Sequence, residues 1–186
     1  ITLLLSLFNL TDQVSQGIKL RVEPGFLVFS DTKNLGLLLN VEPKIEISDN
    51  TAIGMRFGVV LNAQKINNNS FEFFINDEAD NAVISFAPTF DYYLNKDKYR
   101  PYLGIGLGYY LFSYVDVSRR NGSAEVLKGS MNNKLGFLLR AGFESGNTRV
   151  GLEYNFIPKA DIEIPNGLRI GTVDNIYFGL SIGFTI

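Results

Sequence analysis

The chain of 186 residues contains no cysteine, no histidine and no tryptophan. Without thiols there are no disulfides, thiolate nucleophiles or thiolate metal ligands; without imidazole there is no histidine-based metal site and no triad built on an imidazole base. Long apolar runs are also missing. The longest, ITLLLSLFNL at 1–10, falls short of the ~20 residues a spanning helix needs and resembles the apolar core of a truncated secretory signal. Residues 1–17 are therefore expected to be a signal-peptide remnant, with a single folded domain over 18–186. Neither sign of charge dominates, since 17 basic residues face 19 acidic ones with no long block of either. A nucleic-acid stripe is excluded on that balance, and no metal or cofactor is expected.

What is present is alternation. Apolar residues make up 46% of the chain, yet they recur with period 2 over eight segments, near 18–30, 36–47, 51–64, 82–95, 101–117, 132–145, 147–157 and 173–186. The links alternate in length. SDNT, NKDKYR and SGNT are tight-turn sequences, whereas 65–81, 118–132 and 158–172 are long and expected to be loops; SDTKNLG at 30–36 is a shorter fourth. Short turns at one end and long connections at the other describe an antiparallel up-and-down barrel of the outer-membrane kind.

The two parities of each segment differ sharply. One carries large apolar side chains such as Leu103, Ile105, Leu107, Tyr109 and Leu111, and no charge. The other carries glycines and ions: Arg21, Glu23, Glu42, Lys44, Glu46, Arg56, Asp91, Arg140, Glu144, Arg149 and Glu153 are the candidate site residues, a structural ion-pair network inside the barrel. Volume orders the faces, because an eight-stranded barrel has an interior just wide enough to be filled by side chains. Five or six bulky residues per strand do not fit there. They must face hydrocarbon, with the charges paired in the lumen, since an unpaired buried charge is costly. Aromatics near both strand ends, Tyr92, Phe143 and Phe184 at one and Tyr109, Phe137, Tyr154, Phe156 and Phe178 at the other, suit two interfacial girdles. Pro24, Pro43 and Pro88 lie within predicted strands and lack a ladder donor, so broken pairing or bulges are expected beside them.

The stretches RPYLGIGLGYYLF, LGFLLRAGFESGNTRVGLEYNF and NIYFGLSIGFTI resemble the small eight-stranded outer-membrane β-barrels of Gram-negative bacteria, the opacity-protein and outer membrane protein β-barrel group. The resemblance implies an all-β transmembrane barrel in the bacterial outer membrane, in contact with the bilayer and lipopolysaccharide. It also implies insertion by the outer-membrane assembly machinery through a closing strand whose last residue here is Ile186 rather than an aromatic. A monomer with a structural or surface-interaction role, a lumen closed by ion pairs and no general porin activity is expected, and the chain is expected not to be an enzyme. A soluble lipocalin-like binding barrel, with the apolar parity inside, stays open as an alternative; so does a small channel or surface enzyme.

Other motifs say less. GIGLG lacks the spacing and following helix of a dinucleotide fingerprint and reads as lumen-facing glycines. The acidic NDEADN at 76–81 lacks the twelve-residue calcium pattern and reads as a solvated loop. Phe71, Phe73 and Phe74 stand close together in the first long connection, as contacts for a host or surface ligand or as an extension of the third strand. SRR at 118–120 offers two guanidinium groups to lipid phosphates.

Overall fold

The computed structural model describes residues 17–30, 35–61, 66–68, 70, 72–75, 82–119 and 126–186. The expected signal remnant up to residue 16 and the NDEADN stretch lie outside them. Eight long strands, β1 (Lys19–Phe29), β2 (Leu35–Ser48), β3 (Thr51–Leu61), β6 (Ala82–Tyr93), β7 (Tyr99–Phe112), β10 (Lys134–Ser145), β11 (Thr148–Phe156) and β14 (Tyr177–Thr185), form a closed antiparallel barrel. Their lengths suit tilted spanning strands, which need ~9–11 residues. The barrel closes where β1 pairs with β14, and Leu20 and Ile186 exchange both main-chain hydrogen bonds at that seam.

The side chains divide as volume demands. Phe26, Leu37, Phe57, Ile105, Leu135, Leu152 and Phe178 are among the many exposed apolar residues of the outer wall, and the charged parity is buried. This orientation rules out the lipocalin-like alternative, which needs the reverse. On the outer wall, cross-strand aromatics pair, with Phe137 stacked on Phe156 at 4.9 Å and Tyr154 against Phe178 at 4.7 Å.

Gly104 and Gly142 show why glycine fills the lumen parity. A Cβ on Gly104 would strike the Asp91 carboxylate and the Arg140 side chain, and one on Gly142 would strike the Val150 carbonyl and the Tyr102 hydroxyl. Gly146, at φ 57°, turns the chain between β10 and β11. The three strand prolines each break the ladder on one side without shifting its register. Pro24 pairs with Leu39 but is skipped between Val22–Phe184 and Gly25–Ser181; Pro43 and Pro88 behave alike, toward β3 and β7 respectively.

The long connections are not plain loops. They carry six short strands, β4 (Ile66–Asn68), β5 (Phe73–Ile75), β8 (Val115–Arg119), β9 (Val126–Met131), β12 (Ala160–Glu163) and β13 (Arg169–Val173), joined in the order β4-β13-β12-β9-β8-β5. This sheet continues the barrel beyond its long-connection rim as a crown. Among the described residues β4 pairs directly with β13.

Sidedness inverts in the crown. In β7 the even-numbered residues Tyr102 to Tyr110 face inward, whereas in β8 the inward residues are Val115 and Val117; residues 113–114 break the strand and change its parity. Residues 132–133 and 158–159 do the same between β9 and β10 and between β11 and β12. The crown interior is apolar, built from Phe73, Ile75, Val115, Val117, Met131, Ile162 and their neighbours, while Asp116, Lys128 and Ser130 face out. A second apolar layer, including Leu27, Phe29, Leu38, Val60, Val83 and Tyr177, fills the upper barrel beneath it, and Phe112 packs against both. The lumen parity is therefore ionic or small only toward the short-turn rim. Above that level it is a hydrophobic plug.

Because the crown has its own core, Ile162→Ala should loosen it by about 2–5 kcal/mol, the usual loss for a large-to-small core change. Limited proteolysis of folded protein should then cut the crown connections faster while the barrel keeps its heat-modifiable gel migration. Loss of barrel migration as well would show that the two layers unfold together.

Candidate functional site

Two sites emerge, one inside the barrel and one on the crown. The inner site is organised by Asp91, which is fully buried on β6. Its two oxygens meet three cations from three other strands: Lys44 Nζ at 2.8 Å, Arg140 Nε at 2.8 Å and Arg149 Nη1 at 2.8 Å. Arg140 also forks onto Glu42, donating from Nη1 at 2.8 Å and Nη2 at 2.7 Å, the planar geometry that makes arginine–carboxylate pairs strong. Arg56 bonds Glu153, whose other oxygen accepts from Asn155 Nδ2 at 2.8 Å, and Tyr110 donates to Asn155 Oδ1 at 2.7 Å. Nearer the short-turn rim, Glu144 accepts from Arg21, Arg100 and the Tyr93 hydroxyl, and Glu46 joins Arg100 to Lys19.

The barrel thus brings together all eleven charged residues singled out in the sequence, and it adds Arg100, Tyr93, Tyr102 and Thr89 to the network. Tyr102 is easily missed as an aromatic, yet the Arg149 guanidinium lies 3.4 Å from its ring centroid, a cation–π contact inside the barrel. Outside the barrel wall, the Lys96 ammonium 2.7 Å from Asp49 holds that exposed carboxyl below its usual range by hydrogen bonding and charge, linking two short turns.

The outer site lies on the crown. Ser130 sits on the outward face of β9, with Lys128 two residues earlier on the same face. Across the ladder Ser130 faces Glu163 of β12, and its Oγ donates to the Glu163 carbonyl at 3.3 Å. Facing residues in an antiparallel pair have Cβ atoms about 4.5–5.5 Å apart, so the hydroxyl and the carboxylate share one patch. Of the other described serines, Ser85 and Ser181 have the lumen parity, Ser30, Ser48 and Ser145 lie at strand ends, and Ser70 and Ser113 accept from the Glu72 and Ala82 amides; Ser118 shares the outward crown face on β8 but is flanked across the ladder by Phe74 and Val126 rather than by a carboxylate. The patch was not recognised in the sequence because 118–132 and 158–172 read as loops. The alternation in ADIEIP was the available signal.

The aromatic cluster changes role. Phe73 is not an exposed contact but a buried member of the crown core, with Arg119 over its ring at 5.7 Å. Its strand, β5, pairs with β8 and so uses the phenylalanines to continue the sheet. Phe71 lies outside the described residues.

A closed eight-stranded barrel with an apolar outer wall and a charged lumen is a small bacterial outer-membrane β-barrel, its short turns periplasmic and its crown extracellular. The solved structure of OprG from Pseudomonas aeruginosa superposes with a TM-score of 0.57 at 14% identity, over 94% of this chain and 98% of that one. Neisserial surface protein A does so with a TM-score of 0.54 at 13% identity, over 91% and 94%. At such identities the likeness is one of fold. No curated protein sequence matches the chain. The sequence does match the family described as lipid A 3-O-deacylase (PagL) over residues 49–167, from the β2–β3 turn to the β12–β13 turn, and the chain belongs to that family. Membership in a family of enzymes overturns the expectation that the protein is not an enzyme; the absence of histidine excludes only an imidazole-based mechanism.

The inner network makes a direct energetic prediction. Removing one partner of a buried ion pair costs about 3–5 kcal/mol, whereas replacing both with apolar residues is often nearly neutral. Arg140→Met should therefore destabilise the barrel far more than Arg140→Met combined with Glu42→Leu, which removes one charge of each sign and leaves Asp91 to Lys44 and Arg149, as read by urea unfolding in lipid vesicles. Equal loss in both would mean that Arg140 acts by packing alone.

Proposed function

We propose that the protein acts on lipid A in the outer leaflet, hydrolysing an ester-linked acyl chain, with the closed barrel as a rigid scaffold and the crown patch around Ser130 as the reacting site. The observation that carries this reading is the family match across β3 to β12, which contains the whole patch. Ser130 lies beyond the apolar belt, five positions from the lipid-facing Leu135, where a lipid headgroup meets its acyl chains.

The chemistry available without imidazole is a carboxylate-assisted acyl transfer. Ser130 Oγ attacks the ester carbonyl carbon while its proton passes to the Glu163 carboxylate, and the Lys128 ammonium stabilises the charge that builds on the carbonyl oxygen. The ester C–O bond then breaks, and Glu163 returns the proton to the departing lipid A oxygen. Water, deprotonated by the same carboxylate, releases the fatty acid and restores the serine.

The lumen serves no passage in this reading. Glu42, Asp91 and Tyr93 are inaccessible to solvent, and the apolar plug closes the extracellular half, which supports a barrel without general porin activity. Lipopolysaccharide is then the surface partner and substrate source, β14 the segment presented to the insertion machinery, and the monomer the working unit. The polar outer face of the crown also favours contact with other surface ligands.

Lipid A from cells expressing the protein should lose one acyl chain by mass spectrometry, and Ser130→Ala should abolish the loss at unchanged barrel assembly. Glu163→Gln should reduce it by about 10²–10⁴-fold, the range that general-base catalysis contributes. Unmodified lipid A with wild-type protein, or full activity in Ser130→Ala, would contradict the assignment. In planar bilayers the purified barrel should show no conductance steps.

A further inference from the structure

Glu23 on β1 is ringed by three guanidinium groups at distances too long for good hydrogen bonds. Arg149 Nε lies 3.4 Å from Glu23 Oε1, Arg21 Nε 3.8 Å from the same oxygen, and Arg56 Nη2 3.9 Å from Oε2. Each arginine spends its best bonds elsewhere, on Glu144, Glu153 and Asp91. What remains at the centre is a set of buried polar atoms without hydrogen-bond partners: Glu23 Oε1, Arg21 Nη1, and Arg149 Nε and Nη2. All three residues are no more than 3% exposed.

We infer that this ring is a binding site for water, fed from the periplasmic mouth and sealed from the cell exterior. The ligand's chemistry follows from the orphan atoms. One is a carboxylate oxygen that needs a donor, and the others are N–H groups that need an acceptor, so the occupant must donate and accept at once. A halide or other simple anion satisfies the guanidinium groups but is repelled by Glu23. Charge balance agrees, because the deeply buried Arg21, Lys44, Arg56, Arg140 and Arg149 are matched by Glu23, Glu42, Asp91, Glu144 and Glu153. Water bridging polar groups that stand more than about 3.5 Å apart is a common way to complete such clusters.

The supply route is one-sided. Toward the periplasm the network runs through Arg21 and Glu144 to Arg100 and Glu46 at the mouth, where the side chains are 20% and 10% exposed. Toward the exterior it ends at Asn155 and Tyr110, beyond which Leu27, Val60, Val83 and Ile157 offer water no partner. The ionic lumen is thus a blind well, wet at the bottom and dry at the top. Its contents exchange with the periplasm and take no part in the crown chemistry.

A crystal structure of the full barrel at a resolution that shows ordered water, with a second crystal soaked in bromide, tests this. The expected result is density within hydrogen-bond distance of Glu23 Oε1 and an arginine N–H, with no anomalous bromide signal there. Glu23 and Arg149 closing into direct contact with no density between them would overturn it, as would a bromide peak in the ring. Glu23→Gln, which keeps an acceptor oxygen, should retain the density. Its loss in that variant, with the barrel folded, would equally count against a water site.

Discussion

Asp91 carries one fully buried carboxylate into the lumen, and Lys44, Arg140 and Arg149 arrive there from three other strands at 2.8 Å each. A buried charge left without partners is so unfavourable that these residues fix strand register as much as they neutralise one another. A one-residue slip in any of the four strands would turn its cation or anion into the bilayer. The glycines follow from the same constraint, since Gly104 leaves the space that Asp91 and Arg140 occupy. The apolar outer wall follows too, because every bulky residue excluded from the filled lumen must face lipid.

Above the membrane the solvent changes and so does the rule. Lipid rewards apolar side chains outside; water rewards them inside. The strands obey both by breaking at residues 113–114, 132–133 and 158–159, where the inward parity changes. The crown that results is an ordinary soluble β-structure standing on an inside-out one. Its outward face lies beyond the hydrocarbon, on the side of the long connections. The barrel below supplies rigidity and position.

The barrel was readable from the sequence because its strands are long and strictly alternating, and because Arg21, Glu42, Asp91 and Arg140 could not be placed anywhere but the lumen. The prolines were readable for a local reason, the missing amide. The crown was not. Its strands run three to six residues, and the parity breaks erase the alternation that would have joined them to the barrel. The apolar plug escaped notice because Leu27, Leu38 and Val60 share a parity with the charges and were read through them. Enzymatic character escaped for a different reason. The missing histidine removed the most recognisable catalytic pattern, and the proposed patch joins Glu163 to Lys128 and Ser130 only through pairing between strands that sequence did not reveal.

One chain presents apolar residues outward in the barrel and inward in the crown. Since the protein has no tryptophan, single introduced tryptophans report depth without background. In vesicles containing brominated lipids, Ile105→Trp and Leu139→Trp should be strongly quenched, while Asp116→Trp and Val126→Trp should keep their fluorescence. Quenching of the crown positions to the same degree, or none at the barrel positions, would contradict it.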